Sequence, residues 1–177
     1  GNIGIGTTNP GAKLDVNGDI LINGLTVGRG LGSLASNTAL GVSALGLYNA
    51  TGANNTAIGN YALRQSYNTY RNTAVGDNAL EGLYSGNDNV AVGYFSLSIA
   101  GNKYQNTAIG VSSGRTITTG TYNTFVGYNS GYNASQKVDA VNSMALGNGA
   151  FTTADNQVVI GNTSVTQTQL NGNVGIG

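Results

Sequence analysis

No histidine and no cysteine occurs among the 177 residues. That removes the usual general base, the usual metal ligand and the thiol nucleophile. The carboxylates are Asp15, Asp19, Asp77, Glu81, Asp88, Asp139 and Asp155. Glycoside cleavage needs two carboxylates flanking one bond, and Asp77 and Glu81 are the pair spaced to meet on one structural unit. Two solvated surface acids is the plainer expectation for them. Gly28, Gly30 and Gly32 miss the dinucleotide-binding spacing, and no Gly-Lys-Ser/Thr follows, so no phosphate loop is expected. Asn87-Asp88-Asn89 carries oxygens suited to Ca²⁺ but reads first as a tight turn. The expectation is a protein that is not an enzyme and needs no cofactor or metal.

Binding is better served than catalysis. The chain has ten tyrosines, and Tyr offers a flat apolar face with a polar tip, useful against sugar rings and protein surfaces. Tyr48, Tyr67 and Tyr84 fall seven or eight residues after a recurring glycine, which predicts stacking along one loop edge. Tyr70, Tyr104, Tyr122 and Tyr132 lie elsewhere in the loops. The competing expectation for all of them is packing over the coil ends and between subunits. Arg64, Arg71, Lys103 and Arg115 flank the same loops and could pair with an acidic glycan, against a merely solvated role for each. Charged residues make up only 8%, seven basic against seven acidic. No basic stripe therefore argues for nucleic acid, and no apolar run approaches the roughly 20 residues of a membrane span.

The elements that position these side chains are set by one recurring phrase. It reads NTALG at 37–41, NTAIG at 55–59, NTAVG at 72–76, NVAVG at 89–93, NTAIG at 106–110 and NTFVG at 123–127. Its glycines are Gly41, Gly59, Gly76, Gly93, Gly110 and Gly127, at steps of 18, 17, 17, 17 and 17; Gly147 and Gly161 follow at 20 and 14. A step this short suits one coil of a β-solenoid, whose repeats bury apolar surface by stacking. The residue before each glycine is aliphatic (Leu40, Ile58, Val75, Val92, Ile109, Val126, Leu146, Ile160). Two earlier stand Thr38, Thr56, Thr73, Val90, Thr107, Thr124, Met144 and Val158, and strand alternation puts both columns on one face. Val and Met in the Thr column predict that this face is interior or semi-buried, which weighs against an ice-binding Thr ladder. The column between them is small, mostly Ala, and is expected at a contact between subunits. Each glycine should mark a corner. Beyond it a second short strand is expected, with the column Leu45, Leu63, Leu80, Leu97, Gly114 and Gly131. Loops should then fill 46–54, 64–71, 81–88, 98–105, 115–122 and 132–141.

Three regions follow: a β-hairpin connector module at 1–30, the β-roll repeat array at 31–150, and an exit rung with the start of another connector at 151–177. In the first, Asn17-Gly18 between two apolar runs predicts a hairpin, and Asn23-Gly24 a second turn. Asn2-Ile-Gly-Ile-Gly6 and Asn173-Val-Gly-Ile-Gly177 nearly repeat each other, as expected of a segment cut between copies of a longer motif.

Ser143-Met-Ala-Leu-Gly147 with its 14-residue step to Gly161 resembles the head repeats of trimeric autotransporter adhesins. Those heads are left-handed parallel β-rolls of three chains. The NTAIGxxAL pattern, GNIGIGTTNPGAKLDVNG at 1–18 and ADNQVVIGNTSVTQTQL at 154–170 resemble segments of phage tail fibres and large bacterial surface proteins, often upstream of an intramolecular chaperone. The resemblance implies an all-β, parallel β-roll or β-solenoid in an intertwined homotrimer. It implies an extracellular place, on a virion tail fibre or a bacterial surface, and attachment to a cell-surface glycan or protein receptor. A glycan-depolymerising spike and an ice-binding solenoid are the alternatives.

Overall fold

The computed structural model describes residues 1–30, 36–46 and 52–169. Tyr48 and the near-repeat at 173–177 lie outside the described residues. The chain is all-β. The strands in order are β1 (Ile3–Ile5), β2 (Leu14–Val16), β3 (Ile20–Ile22), β4 (Leu25–Gly28), β5 (Thr38–Val42), β6 (Thr56–Ile58), β7 (Asn68–Tyr70), β8 (Thr73–Val75), β9 (Leu83–Asn87), β10 (Val90–Val92), β11 (Gly101–Asn102), β12 (Thr107–Ile109), β13 (Thr124–Val126), β14 (Met144–Leu146) and β15 (Val158–Ile160).

The motif strands form one long sheet in the order β15-β14-β13-β12-β10-β8-β6-β5-β4-β3. From β5 to β15 every pairing is parallel and in register, so Ala57 lies beside Ala74 and Ile58 beside Val75. A parallel solenoid of about seven turns results, as the 17-residue step predicts. A second parallel sheet, β11-β9-β7, runs along the other side. It occupies segments expected to be loops, because Asn, Gly, Ser and Tyr there still fit a short stacked strand once the neighbouring coil supplies the ladder.

The hairpin lies one turn later than Asn17-Gly18 suggests. β2 pairs parallel with β1, whereas β3 and β4 pair antiparallel across Asn23-Gly24. Both turn residues have positive φ, 48° and 84°, which is the geometry a two-residue hairpin requires. β4 then pairs antiparallel with β5, so the hairpin caps the first edge of the parallel array.

The faces of the long sheet are reversed from expectation. Ala39, Ala57, Ala74, Ala91, Ala108, Phe125 and Ala145 point into the coil and are fully buried within one chain. The Thr and aliphatic columns point out. The interior is thin, and it is filled from the corner by Leu45, Leu63, Leu80 and Leu97 and from the far side by Leu83 and Ile117, leaving room for only a methyl on the sheet.

Those corner leucines are not in a strand. They sit in turns with φ of 49–51°, a left-handed conformation uncommon for leucine but offset here by complete burial. The chain bends at the motif glycine as expected. Gly59 has φ 131°, and a Cβ there would lie 2.5 Å from the Gly76 carbonyl oxygen of the next coil. The switch from Leu to Gly114 and Gly131 has a packing cause. A Cβ at Gly131 would collide with the Phe125 ring, and one at Gly114 would lie 3.0 Å from it. One large residue in the Ala column thus displaces two leucines.

The motif asparagines form a buried ladder. Asn55 Oδ1 accepts from the Asn72 backbone N–H at 3.0 Å and from its Nδ2 at 3.1 Å, while Asn55 Nδ2 donates to the Thr69 carbonyl at 2.8 Å. Asn72, Asn89 and Asn106 repeat this arrangement, and it closes on Ser143, whose N–H bonds Asn123 Oδ1 at 2.9 Å. Each side chain ties its own coil shut and grips the next, so the buried polar groups are satisfied and register is specified.

Candidate functional surface

The solenoid presents its long sheet outward with Thr and aliphatic side chains alternating. In the aliphatic column Ile58 is 36% exposed and Ile109 44%; Leu40, Val126 and Ile160 are also exposed, and Val75, Val92 and Leu146 half-buried. In the Thr column Thr56, Thr73, Thr107 and Thr124 are half-buried and Thr38 is exposed. The seven turns therefore carry a continuous apolar stripe on the outside of a chain whose own core is complete.

The basic residues singled out in the sequence are engaged within the chain. Arg71 bonds Asp88 of the next coil through Nε at 2.6 Å and an Nη at 2.8 Å. That two-point hydrogen bond holds the Asp88 carboxyl below its ordinary pKa and raises that of Arg71. Arg64 reaches Glu81 at 3.4 Å and lies 4.4 Å over the Tyr61 ring. Lys103 is fully buried, with Nζ donating to the Ile99 carbonyl, and burial pushes its pKa down to about 8. Lys137, from the later loops, bonds Asp139 and Asp155. The acids are similarly committed: Asp77 accepts from Asn60 and Asn78. The Asn87, Asp88 and Asn89 oxygens serve the Tyr70 N–H, Arg71 and Asn106 respectively.

The tyrosines divide. Tyr67 and Tyr84 do stack along one edge, rings edge-on at 6.0 Å and both exposed. Tyr70 is half-buried on β7. Tyr104 shares a hydrogen bond with Ser85 at 3.3 Å. Tyr122 stands exposed at a turn with φ 60°.

Tyr132 and Arg115 belong to an aromatic cluster the sequence did not disclose. Arg115 lies 4.4 Å over the Phe95 ring and 5.0 Å over that of Tyr132. Its Nε is buried without a hydrogen-bond partner, so the rings are its principal attraction. Phe95 in turn carries the Tyr94 ring at 4.3 Å. Tyr94 begins a column one residue past the motif glycine: Tyr94, Val111 and Tyr128, all exposed. The ladder runs through it, with Ser112 N–H bonding the Tyr94 carbonyl at 2.8 Å and Asn129 N–H the Val111 carbonyl at 2.9 Å. The available signal was this fixed position, which reads Asn60 and Asp77 in earlier coils.

Among the described residues no helix is long and apolar enough to cross a membrane. The chain matches none of the known family models, curated proteins or solved structures.

Proposed function

We propose that this chain is a non-enzymatic, structural and adhesive segment of a homotrimeric fibre, set outside a cell or on a virion tail. Its role is to project or form a receptor-binding surface. The observation that carries the reading is the outward aliphatic column of the long sheet. An apolar stripe exposed along successive coils is the kind of surface that marks an interaction site, and a second and third copy are its natural cover. The Ala column cannot be that contact, being sealed inside each coil. The seam is therefore assigned to the Thr and aliphatic columns. The number three rests on the resemblance to trimeric adhesin heads. Stacked rungs about 4.8 Å apart, pinned by the Asn ladder, make a stiff spacer, and repeated loops add contacts that gain by avidity.

The test is the mass of the wild-type chain against an Ile109→Lys variant. A trimer that the variant dissociates supports the reading; a wild-type monomer overturns it.

One observation favours a second reading. The Thr column lies on the outer face of the long sheet and not in the coil interior, with Thr38 exposed and Thr56, Thr73, Thr107 and Thr124 half-buried. Five threonines stand on eight in-register rungs, beside aliphatic residues. Thermal hysteresis by the purified chain would support an ice-binding solenoid, and its absence disposes of it.

A further inference from the structure

We propose that the ridge formed by Tyr94, Val111 and Tyr128 docks an uncharged polysaccharide. This rests on the adhesive-fibre reading and names the ligand class for it. The three side chains are 49%, 40% and 58% exposed and stand on successive rungs. At an inter-strand spacing of about 4.8 Å, the two tyrosines are roughly 9.6 Å apart, the scale of two sugar rings laid end to end. A periodic ridge of ring, methyls and ring suits a periodic ligand with alternating apolar patches and hydroxyls. Each Tyr tip can both donate and accept a hydrogen bond.

Charge selects the class. The ridge itself has no ionic side chain. The nearest carboxylate in the same column is Asp77, one rung before Tyr94 and held by Asn60 and Asn78. The cation linked to the ridge through Phe95, Arg115, is clasped between Phe95 and Tyr132. An acidic glycan, with which Arg64, Arg71, Lys103 and Arg115 could pair by sequence, finds these four committed to partners within the chain. A neutral ligand needs none of them.

The same clasp prepares the Tyr94 end of the ridge. Arg115 fixes Phe95, and Phe95 braces Tyr94 at 4.3 Å. A ring already held in place loses little freedom on binding, which favours affinity. The ridge borders the aliphatic column but continues past the glycine bend, where Val92, Ile109 and Val126 end their strands.

The experiment uses the full chain in its native assembly. Neutral gluco-, manno- and N-acetylchito-hexasaccharides are titrated by calorimetry, with an oligogalacturonate as acidic control. Tyr94→Ser and Tyr128→Ser are made singly and together, and the mass of each is measured. The expected result is binding to a neutral hexasaccharide, weakened roughly tenfold by each substitution, with the mass unchanged. Failure to bind any neutral probe, or binding of the acidic control alone, overturns the proposal while a wild-type trimer leaves the fibre reading intact. Dissociation of the double variant also overturns it, by assigning the ridge to the seam between chains.

Discussion

Replacing Asn89 with alanine should cost more than any surface substitution in this protein. Asn89 Oδ1 accepts from the Asn106 N–H at 3.0 Å and Nδ2 at 3.2 Å; its own Nδ2 donates to Asn72 Oδ1 at 2.9 Å and to the Lys103 carbonyl at 2.8 Å. Asn89 and Asn106 are both fully buried, so water cannot replace what is lost. Asn106 Nδ2 keeps its bond to the Gly120 carbonyl, and the Asn89 backbone N–H keeps Asn72 Oδ1. The Asn106 N–H and the Lys103 carbonyl lose their Asn89 partner. Orphaning a buried polar group costs about 1–3 kcal/mol, so the expected loss is about 4 kcal/mol. Coils in a solenoid touch only their neighbours, so the damage concentrates between the coils of β8, β10 and β12. Urea unfolding at fixed chain concentration, followed by far-ultraviolet circular dichroism, measures it. Asn102→Ala, at an exposed position, is the control and should stay within about 0.5 kcal/mol. A loss for Asn89→Ala as small as that control would refute the ladder's role in holding the coils together.

The Phe125 packing predicts a rescue: Gly131→Leu should destabilise the wild type but be tolerated with Phe125→Ala, giving a coupling of about 2 kcal/mol in a double-mutant cycle; additive effects would contradict it. Lys103 predicts a pH dependence. Its folded pKa, about 8, is below its unfolded value, so the folded state carries a penalty that is full below pH 8. Stability should therefore rise between pH 8 and the ordinary lysine value of about 10.4. Lys103→Met should remove this slope and stabilise the protein at neutral pH by at most about 3 kcal/mol, whereas an unchanged slope would acquit Lys103. The Asn23-Gly24 turn predicts that Gly24→Val, forced to positive φ, weakens the cap on β5 by about 1–2 kcal/mol; hydrogen exchange at Thr38–Val42 should then quicken, and unchanged protection would count against it.

The period was fully legible, because a bend glycine and a stacked strand recur in every coil and each constrains the residue type by itself. The pairing of columns was legible too, since Thr56, Ala57 and Ile58 must alternate. Which face lies inside was not. Bulk ordinarily marks the core, but this coil is so thin that Leu63 and Leu83 fill it, and the β-branched residues are sent out. The Asn ladder stood in plain sight as the first letter of the motif, yet Asn also reads as turn chemistry, and only burial separates the two roles. The second sheet was hidden for the same reason: Asn68-Thr-Tyr70 pairs because β9 lies beside it. The 17-residue step does set Arg71 beside Asp88 one coil on, but spacing alone could not reveal that Arg115 is clasped by rings.

The outward aliphatic column as a seam between chains is the centre of this account, and light scattering on the purified chain tests it most directly. The account predicts a mass near three times 17.9 kDa that falls to a single chain when Ile109 is changed to lysine. A single-chain mass for the unaltered protein at tens of micromolar would contradict it.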